Sequence, residues 1–181
     1  YKTFEVTVPA MTEGDAEAIR AGLLAKLDAG FAAKGLTDAV TGAQLMQNSG
    51  GDYTAANDIQ LPTTRDFGVD GKYYPVTLSS SDPDVLSVPD GNNAARVTVY
   101  RPAVGEADAK ATLTVTLHDR DTSVAASKTF EITVPALTQE EIDDELALME
   151  RVKANYFEGL NNGANAARDD VRRDLTPFFE V

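Results

Sequence analysis

One short segment occurs almost unchanged twice in this chain. Residues 2–10 read KTFEVTVPA and residues 128–136 read KTFEITVPA, so the two copies differ by one Val to Ile change. In both copies apolar and polar residues alternate up to a proline, which is typical of a half-buried β-strand that ends at a breaker. A repeat of this kind is typical of proteins built as arrays of similar units. We therefore predict that the chain holds the closing strands of two successive units.

An amphipathic helix is predicted after each copy. Thr138 and Glu141 have the spacing of a capping box, and Thr12 and Asp15 form a weaker version of it. Apolar residues recur at helical spacing in both segments: Ile19, Leu23, Leu27 and Phe31 in the first, and Ile142, Leu146, Met149, Val152 and Tyr156 in the second. We expect these stripes to pack on the neighbouring fold, because an amphipathic helix needs an apolar surface to cover. A second short helix is expected over residues 37–47.

Residues 59–134 have a different character. They form short runs rich in β-formers, separated by turn sequences such as SDPD, PDGNN and DRDTS. Short strands at regular spacing without intervening helices predict an antiparallel β-sandwich. The side chains predicted to point inward are Ile59, Leu61, Val76, Leu78, Val97, Val99, Leu113, Val115, Leu117, Phe130, Ile132 and Val134.

The same region resembles a known family. The succession DIQLPTT, VTLSSSDPDVLSV, RVTVYRPAVGEADAKATLTVTL and SKTFEITV is similar to the atrophied immunoglobulin-like domains that occur as repeats in bacterial exported and surface proteins. One departure is Leu78, which stands where that family usually has a Trp. The resemblance implies an immunoglobulin-like sandwich in an extracellular structural or adhesive module, at the cell surface or cell wall, with no catalytic residues.

These features predict a mostly β fold with flanking helices, divided into four segments. Residues 1–10 are the closing strand of a preceding repeat, 11–57 a helical connector, 58–135 the immunoglobulin-like sandwich, and 136–181 the helical connector of the next repeat. Because the chain starts with Tyr1 inside a predicted strand, we expect it to be an excised or processed piece of a longer protein, whose signal would lie upstream.

Composition excludes several classes of protein. The formal net charge of −13 disfavours nucleic acid as a partner, because a phosphate backbone would be repelled. No apolar run approaches the length that crosses a bilayer, so no membrane insertion of this segment is expected. The absence of cysteine excludes disulfides and thiolate metal sites.

Few residues suggest catalysis, metal binding or a covalent crosslink. His118 is the one histidine of the chain and lies at a predicted strand end, where we expect it to be exposed rather than catalytic. Closely spaced aspartates could offer oxygen ligands to calcium, but aspartate is also common in turns for its own hydrogen bonding. These pairs are Asp66 with Asp70, Asp82 with Asp84, and Asp119 with Asp121. An isopeptide crosslink through Lys128 would need a buried Asn and acid beside it.

We therefore expect a non-catalytic spacer module without metal or cofactor, whose partners are neighbouring repeats of the same polypeptide. The alternative is an adhesive module that binds a glycan or a host protein through the loop at residues 65–74. Its candidate ligand-binding residues are the aromatic side chains that could stack on a sugar: Phe67, Tyr73, Tyr74 and Tyr100.

Overall fold

The computed structural model describes residues 2, 9–68, 71, 73–90 and 95–162. The predicted first copy of the strand, at residues 2–10, therefore lies largely outside the described residues, as does the segment 163–181. The chain divides into two compact units, Tyr1–Ala136 and Leu137–Val181.

Among the described residues, the first unit contains one helix followed by eight strands. In chain order these are α1 (Glu13–Lys34), β1 (Thr37–Asp38), β2 (Tyr53–Thr54), β3 (Ile59–Gln60), β4 (Val76–Ser80), β5 (Leu86–Ser87), β6 (Arg96–Val99), β7 (Ala109–His118) and β8 (Ala125–Val134). The second unit begins with α2 (Gln139–Asn162). The prediction of a mostly β fold with helices is confirmed.

The strands form two four-stranded sheets. One has the order β1-β3-β6-β5 and the other the order β2-β8-β7-β4. Neighbouring strands are antiparallel except for β2 and β8, which pair in parallel, so the second sheet is mixed rather than purely antiparallel as expected. The longest pairing is the β7–β8 hairpin, in which every residue of β7 faces one of β8.

Period-two alternation explains which side chains fill the core. In β7 the residues Ala111, Leu113, Val115 and Leu117 are buried, while the threonines between them are partly exposed. Successive side chains of a strand point to opposite faces, so one face of this hairpin is apolar apart from Lys128, which faces Val115. The predicted inward residues are buried apart from Leu78 and Val99, which are partly buried and pack against the same core.

Helix α1 is part of that core. Its start is fixed by the predicted capping box, in which Thr12 Oγ1 accepts from the Asp15 amide and the Asp15 carboxylate accepts from the Thr12 amide. The apolar stripe of the helix buries Leu23, Leu27 and Phe31 in the same cluster as both sheets. The predicted helical connector at residues 11–57 thus supplies a core helix to the compact unit.

Residues 37–47 do not form the second short helix that was expected. Thr37–Asp38 is β1, and the Asp38 side chain then accepts hydrogen bonds from the amides of Val40 and Thr41, at 2.8 Å each. This side-chain bonding competes with helix formation and turns the chain. Gly42, with φ of 72°, completes the turn in a conformation that favours glycine.

In the second unit, α2 starts at the predicted capping box. The Glu141 amide donates to Thr138 Oγ1 (3.2 Å), and Glu141 Oε2 accepts from the Thr138 amide (2.9 Å). Large apolar side chains of this helix are exposed: Leu146, Leu148, Met149, Val152 and Tyr156. Within the described residues, no helix combines the length and the apolar character needed to span a bilayer.

Candidate functional site

Phe67, the first of the four aromatic candidates, belongs to the core. Its side chain is fully buried, and its ring lies 5.6 Å from that of Phe31 in a tilted arrangement. Gly30 of α1 lies directly against this ring, because a Cβ at that position would be 2.4 Å from Phe67 Cδ1. A ring enclosed in this way packs the helix onto the loop and has no face on which a sugar could stack.

The three tyrosines divide between the core and the surface. Tyr74 is 8% exposed, with the Lys26 ammonium 4.9 Å from its ring centroid. Tyr73 and Tyr100 are 53% and 54% exposed. The Arg65 guanidinium lies 5.9 Å from the Tyr73 ring, within the range of a cation–π contact. Tyr73 precedes β4 and Tyr100 follows β6, so the two exposed rings belong to different sheets.

Where the structure describes them, the aspartates of these pairs accept hydrogen bonds from residues of their own turns. Asp119 Oδ2 accepts from Thr122 Oγ1 (2.8 Å) and from the Asp121 amide (3.2 Å). The bond from Thr122 is the main reason that the pKa of Asp119 lies below its usual value, although burial opposes the shift. Asp82 Oδ1 accepts from the Asp84 amide at 3.1 Å. These are the hydrogen bonds of aspartate in turns.

Asp66 closes a turn in the loop at residues 65–74. Burial acts to raise the pKa of its carboxyl, but hydrogen bonds from the amide and hydroxyl of Thr63, at 2.7 and 2.8 Å, lower it below its usual value overall. Its predicted partner Asp70 lies outside the described residues, as do residues 69 and 72 of the same loop. Across the described ranges, no three His, Asp or Glu side chains are grouped so that they could hold a metal ion.

His118 ends β7 and is partly buried rather than fully exposed. Its Nε2 lies 2.8 Å from Thr77 Oγ1 on β4, and its amide donates to Pro75 O at 2.9 Å. The neighbouring Asp119 carboxylate bonds within its own turn. The His118 side chain therefore joins two strands of one sheet.

A cleft of about 370 Å³ lies beside the β2–β8 pair. Its charged side chains already have partners: Lys128 pairs with Asp28 of α1, and Asp52 pairs with Lys110 at 2.6 Å. The Lys110 hydrogen bond is the main cause that lowers the pKa of Asp52. An isopeptide crosslink through Lys128 would need a buried Asn and acid beside it, whereas the recorded partner of Lys128 is the Asp28 carboxylate of α1. Glu131, the third charged side chain of the lining, accepts a hydrogen bond from Thr112 Oγ1 at 2.8 Å.

One cluster was missed by the sequence reasoning, at the point where the chain leaves β8. Arg101 Nε donates to Pro135 O (2.9 Å), and Arg101 Nη2 donates to Ala136 O (2.8 Å). The Ala136 amide donates to Asp108 Oδ1 (3.0 Å). We call these bonds of Arg101 and Asp108 to residues 135 and 136 the exit clamp. The RPAVG motif contains Arg101, but nothing local in the sequence predicts its partners.

The loop that carries the exit clamp is itself fixed. Glu106 Oε2 accepts from the Ala103 amide at 2.8 Å, and Gly105 adopts a φ of 86°. The guanidinium and the Asp108 carboxylate thus extend from a turn between β6 and β7 to the carboxyl end of β8. The side chains of the exit clamp bond to backbone groups of residues 135 and 136, and they thereby fix the path of the chain where it leaves the sheet.

No family model matches this chain, and a search of curated proteins found no similar sequence.

Proposed function

We propose that this chain is a non-catalytic spacer module of a bacterial exported or cell-surface repeat protein. Its partners are the neighbouring repeats of the same polypeptide, and it holds other domains away from the cell surface or wall. It works without metal or cofactor. The observation that carries the proposal is the exit clamp, because a spacer must fix the direction in which the chain passes to the next module.

Strand order supports an immunoglobulin-like sandwich as the fold of this module. In the constant-type immunoglobulin arrangement one sheet contains strands A, B, E and D, and the other contains C, F and G. The order β1-β3-β6-β5 corresponds to A, B, E and D, and β8-β7-β4 corresponds to G, F and C. The short β2 adds a parallel strand at the outer edge of β8. The resemblance described above supports the same assignment.

The repeated segment supports the tandem arrangement. The second copy of the segment comprises residues 128–134 of β8 and the two exit residues 135 and 136, and it is followed by the capping box of α2. The first copy precedes the capping box of α1 in the same way. Under this proposal residues 1–10 close a preceding module, and residues 136–181 begin the next one.

A second candidate function rests on Tyr73. Its ring is more than half exposed and lies beside the Arg65 guanidinium, so a planar and a cationic group occur together in the loop at residues 65–74. Exposed aromatic rings and arginine are enriched where proteins bind partners. In this reading the module is adhesive and binds a glycan or a host protein.

A binding screen distinguishes the two functions. The full chain, Tyr73→Ala and Tyr100→Ala would be tested on a glycan array and on immobilised matrix proteins, with circular dichroism to show that all three are folded. The spacer proposal predicts no specific binding by any of them. Binding that is lost in Tyr73→Ala but kept in Tyr100→Ala would replace it with the adhesive function. Specific binding that both variants keep would also contradict the spacer proposal.

A further inference from the structure

Helix α2 has an apolar stripe that is open to solvent. At 3.6 residues per turn, seven side chains of residues 142–156 lie within about 60° of Met149 around the helix. Two of them are charged, Glu145 and Lys153, and the others are apolar: Ile142, Leu146, Met149, Val152 and Tyr156. Ile142 is partly buried, and the other four apolar side chains are 48% to 60% exposed. A contiguous exposed apolar surface of this kind indicates an interaction site.

The stripe does not match the side chains that α1 packs on its own sheets. When the two helices are aligned at their capping boxes, Leu27 of α1 corresponds to Lys153 of α2, and Gly30 corresponds to Tyr156. Leu27 is fully buried, and Gly30 leaves room for the Phe67 ring. Lysine and tyrosine at these positions would bring a charge into such a core and a second ring against Phe67. The sheets of a following module of the same kind therefore do not fit this stripe as they fit α1.

The charges of α2 are distributed unequally along its length. Its first two turns contain five acidic residues and no basic one, whereas its two basic residues, Arg151 and Lys153, lie past its middle. A parallel pair of such helices would bring the two acidic starts together. An antiparallel pair places each acidic start beside the basic part of the other helix, and it also opposes the two helix dipoles. Charge therefore favours an antiparallel pair.

A two-fold axis at Met149 makes the apolar residues of the stripe complementary to themselves. In an antiparallel pair about this axis, residues at equal distances before and after Met149 lie at the same level. Ile142 is then level with Tyr156 of the second copy, and Leu146 is level with Val152 of the second copy. Met149 meets its own counterpart at the axis.

The same axis pairs the two charged residues of the stripe. Glu145 is level with Lys153 of the second copy, so opposite charges meet twice in one interface. In a parallel pair each of these side chains would face its own counterpart instead. Within its own helix, Lys153 Nζ lies 3.9 Å from Glu150 Oε1, at the limit for an ion pair.

We propose that α2 is a dimerisation helix, whose stripe packs antiparallel on the same stripe of a second copy of this chain. The inference goes beyond the proposed function, because it joins two polypeptides rather than successive modules of one. The stripe is one helix wide and about four turns long, which is small for a protein interface. The dimer is therefore weak, and its population depends on concentration.

Sedimentation equilibrium of the full chain over a range of concentrations measures the dimer. Met149→Asp brings two carboxylates together at the axis, and we expect it to raise the dissociation constant at least tenfold. Leu148→Asp is the matched control, because Leu148 is 49% exposed and lies about 100° around the helix from Met149. It should change the dissociation constant less than twofold. Far-UV circular dichroism of each variant shows that the helix is kept.

Charge exchange tests the antiparallel arrangement. Glu145→Lys alone and Lys153→Glu alone each place like charges at the same level, so each should weaken the dimer several-fold, and the double variant should restore it. Glu145→Lys also brings the net charge of −13 nearer to zero, which by itself would favour association. A weaker dimer in this variant therefore reports the local pairing. In a parallel pair the single exchanges would leave like charges facing each other, as before.

Two results would overturn the proposal: a chain that stays monomeric at the highest concentration, or a dimer that Met149→Asp and Leu148→Asp weaken equally. A double charge exchange that does not restore association would overturn the antiparallel pairing. The spacer function is tested separately, because the binding screen measures ligands and not the association of the chain with itself.

Discussion

The contact between Gly30 and Phe67 shows how one residue can set the position of an element. Gly30 lies in the last two turns of α1, and the fully buried Phe67 ring lies where any larger side chain would extend. Glycine is unfavourable within a helix, so its presence here is explained by the close approach of helix and loop rather than by helix formation.

We expect Gly30→Ala to destabilise the first unit. The added Cβ would lie 2.4 Å from Phe67 Cδ1 and 2.6 Å from Cε1, so the helix or the ring must move. Overpacking of a well-filled core costs about 1–3 kcal/mol, which exceeds the helix-propensity gain of at most about 1 kcal/mol. Urea unfolding monitored by circular dichroism measures the difference.

Gly22→Ala on the same helix is the control. No atom lies within 4 Å of a Cβ built at Gly22, so this variant should be stabilised by up to about 1 kcal/mol through helix propensity alone. If the two variants showed equal stability, the packing role of Gly30 would be wrong.

At the scale of elements, β8 is held along its whole length by β7 and at its carboxyl end by the exit clamp. A strand end normally frays, because its last backbone groups have fewer partners than those in the middle of the ladder. Here two hydrogen bonds donated by Arg101 satisfy the carbonyl groups of Pro135 and Ala136, and one accepted by Asp108 satisfies the Ala136 amide. The clamp therefore extends the ordered part of β8 beyond Val134.

Arg101→Ala should weaken this end of the strand. Hydrogen bonds to a charged group contribute about 1.5–3 kcal/mol, so we expect the free energy of opening this strand end to fall by an amount in that range, with faster amide exchange at Val134 and Ala136. Hydrogen exchange followed by NMR measures both effects. Arg101→Lys keeps the charge but loses the planar fork, and it should give an intermediate result. Equal acceleration of exchange in the middle of β8, for example at Phe130, would argue against a local clamp.

At the scale of the whole molecule, the core joins segments that lie far apart in the chain. Leu23 and Leu27 of α1, Leu36 and Ala55 of the following segment, and Phe67 are all buried with the side chains of both sheets. Residues before position 58 therefore contribute to the same core as residues after it. Removal of such large buried groups is costly, because it leaves cavities and exposed apolar surface.

This arrangement predicts which fragments fold. A fragment of residues 10–136 should unfold cooperatively in urea, whereas a fragment of residues 58–135, which holds only the predicted sandwich, should not. Circular dichroism and the dispersion of NMR amide signals distinguish the two. Cooperative unfolding of the shorter fragment, with stability like that of the longer one, would show that α1 is a separable connector.

The parts of the fold that could be predicted are those with a repeated local pattern. The alternation in β7 and β8 is long enough to identify both the strands and their buried faces, as Leu113 and Ile132 illustrate. By contrast, β1 and β2 are two residues long, which is too short for any periodicity to be read. The candidate site shows the same limit, since the partners of Arg101 lie 34 and 35 residues away in sequence.

The sequence by itself determined the strand alternation, the helix starts at Thr12 and Thr138, and the repetition of the closing strand. These depend on interactions within a few residues: the direction of successive side chains and the bonding of a capping residue to the next turn. The tertiary structure alone decided that Phe67 is buried beneath Gly30, that α1 joins the core of the sheets and that Arg101 fixes the chain exit. Each of these depends on which distant segments meet, and local preferences along the chain do not specify such encounters.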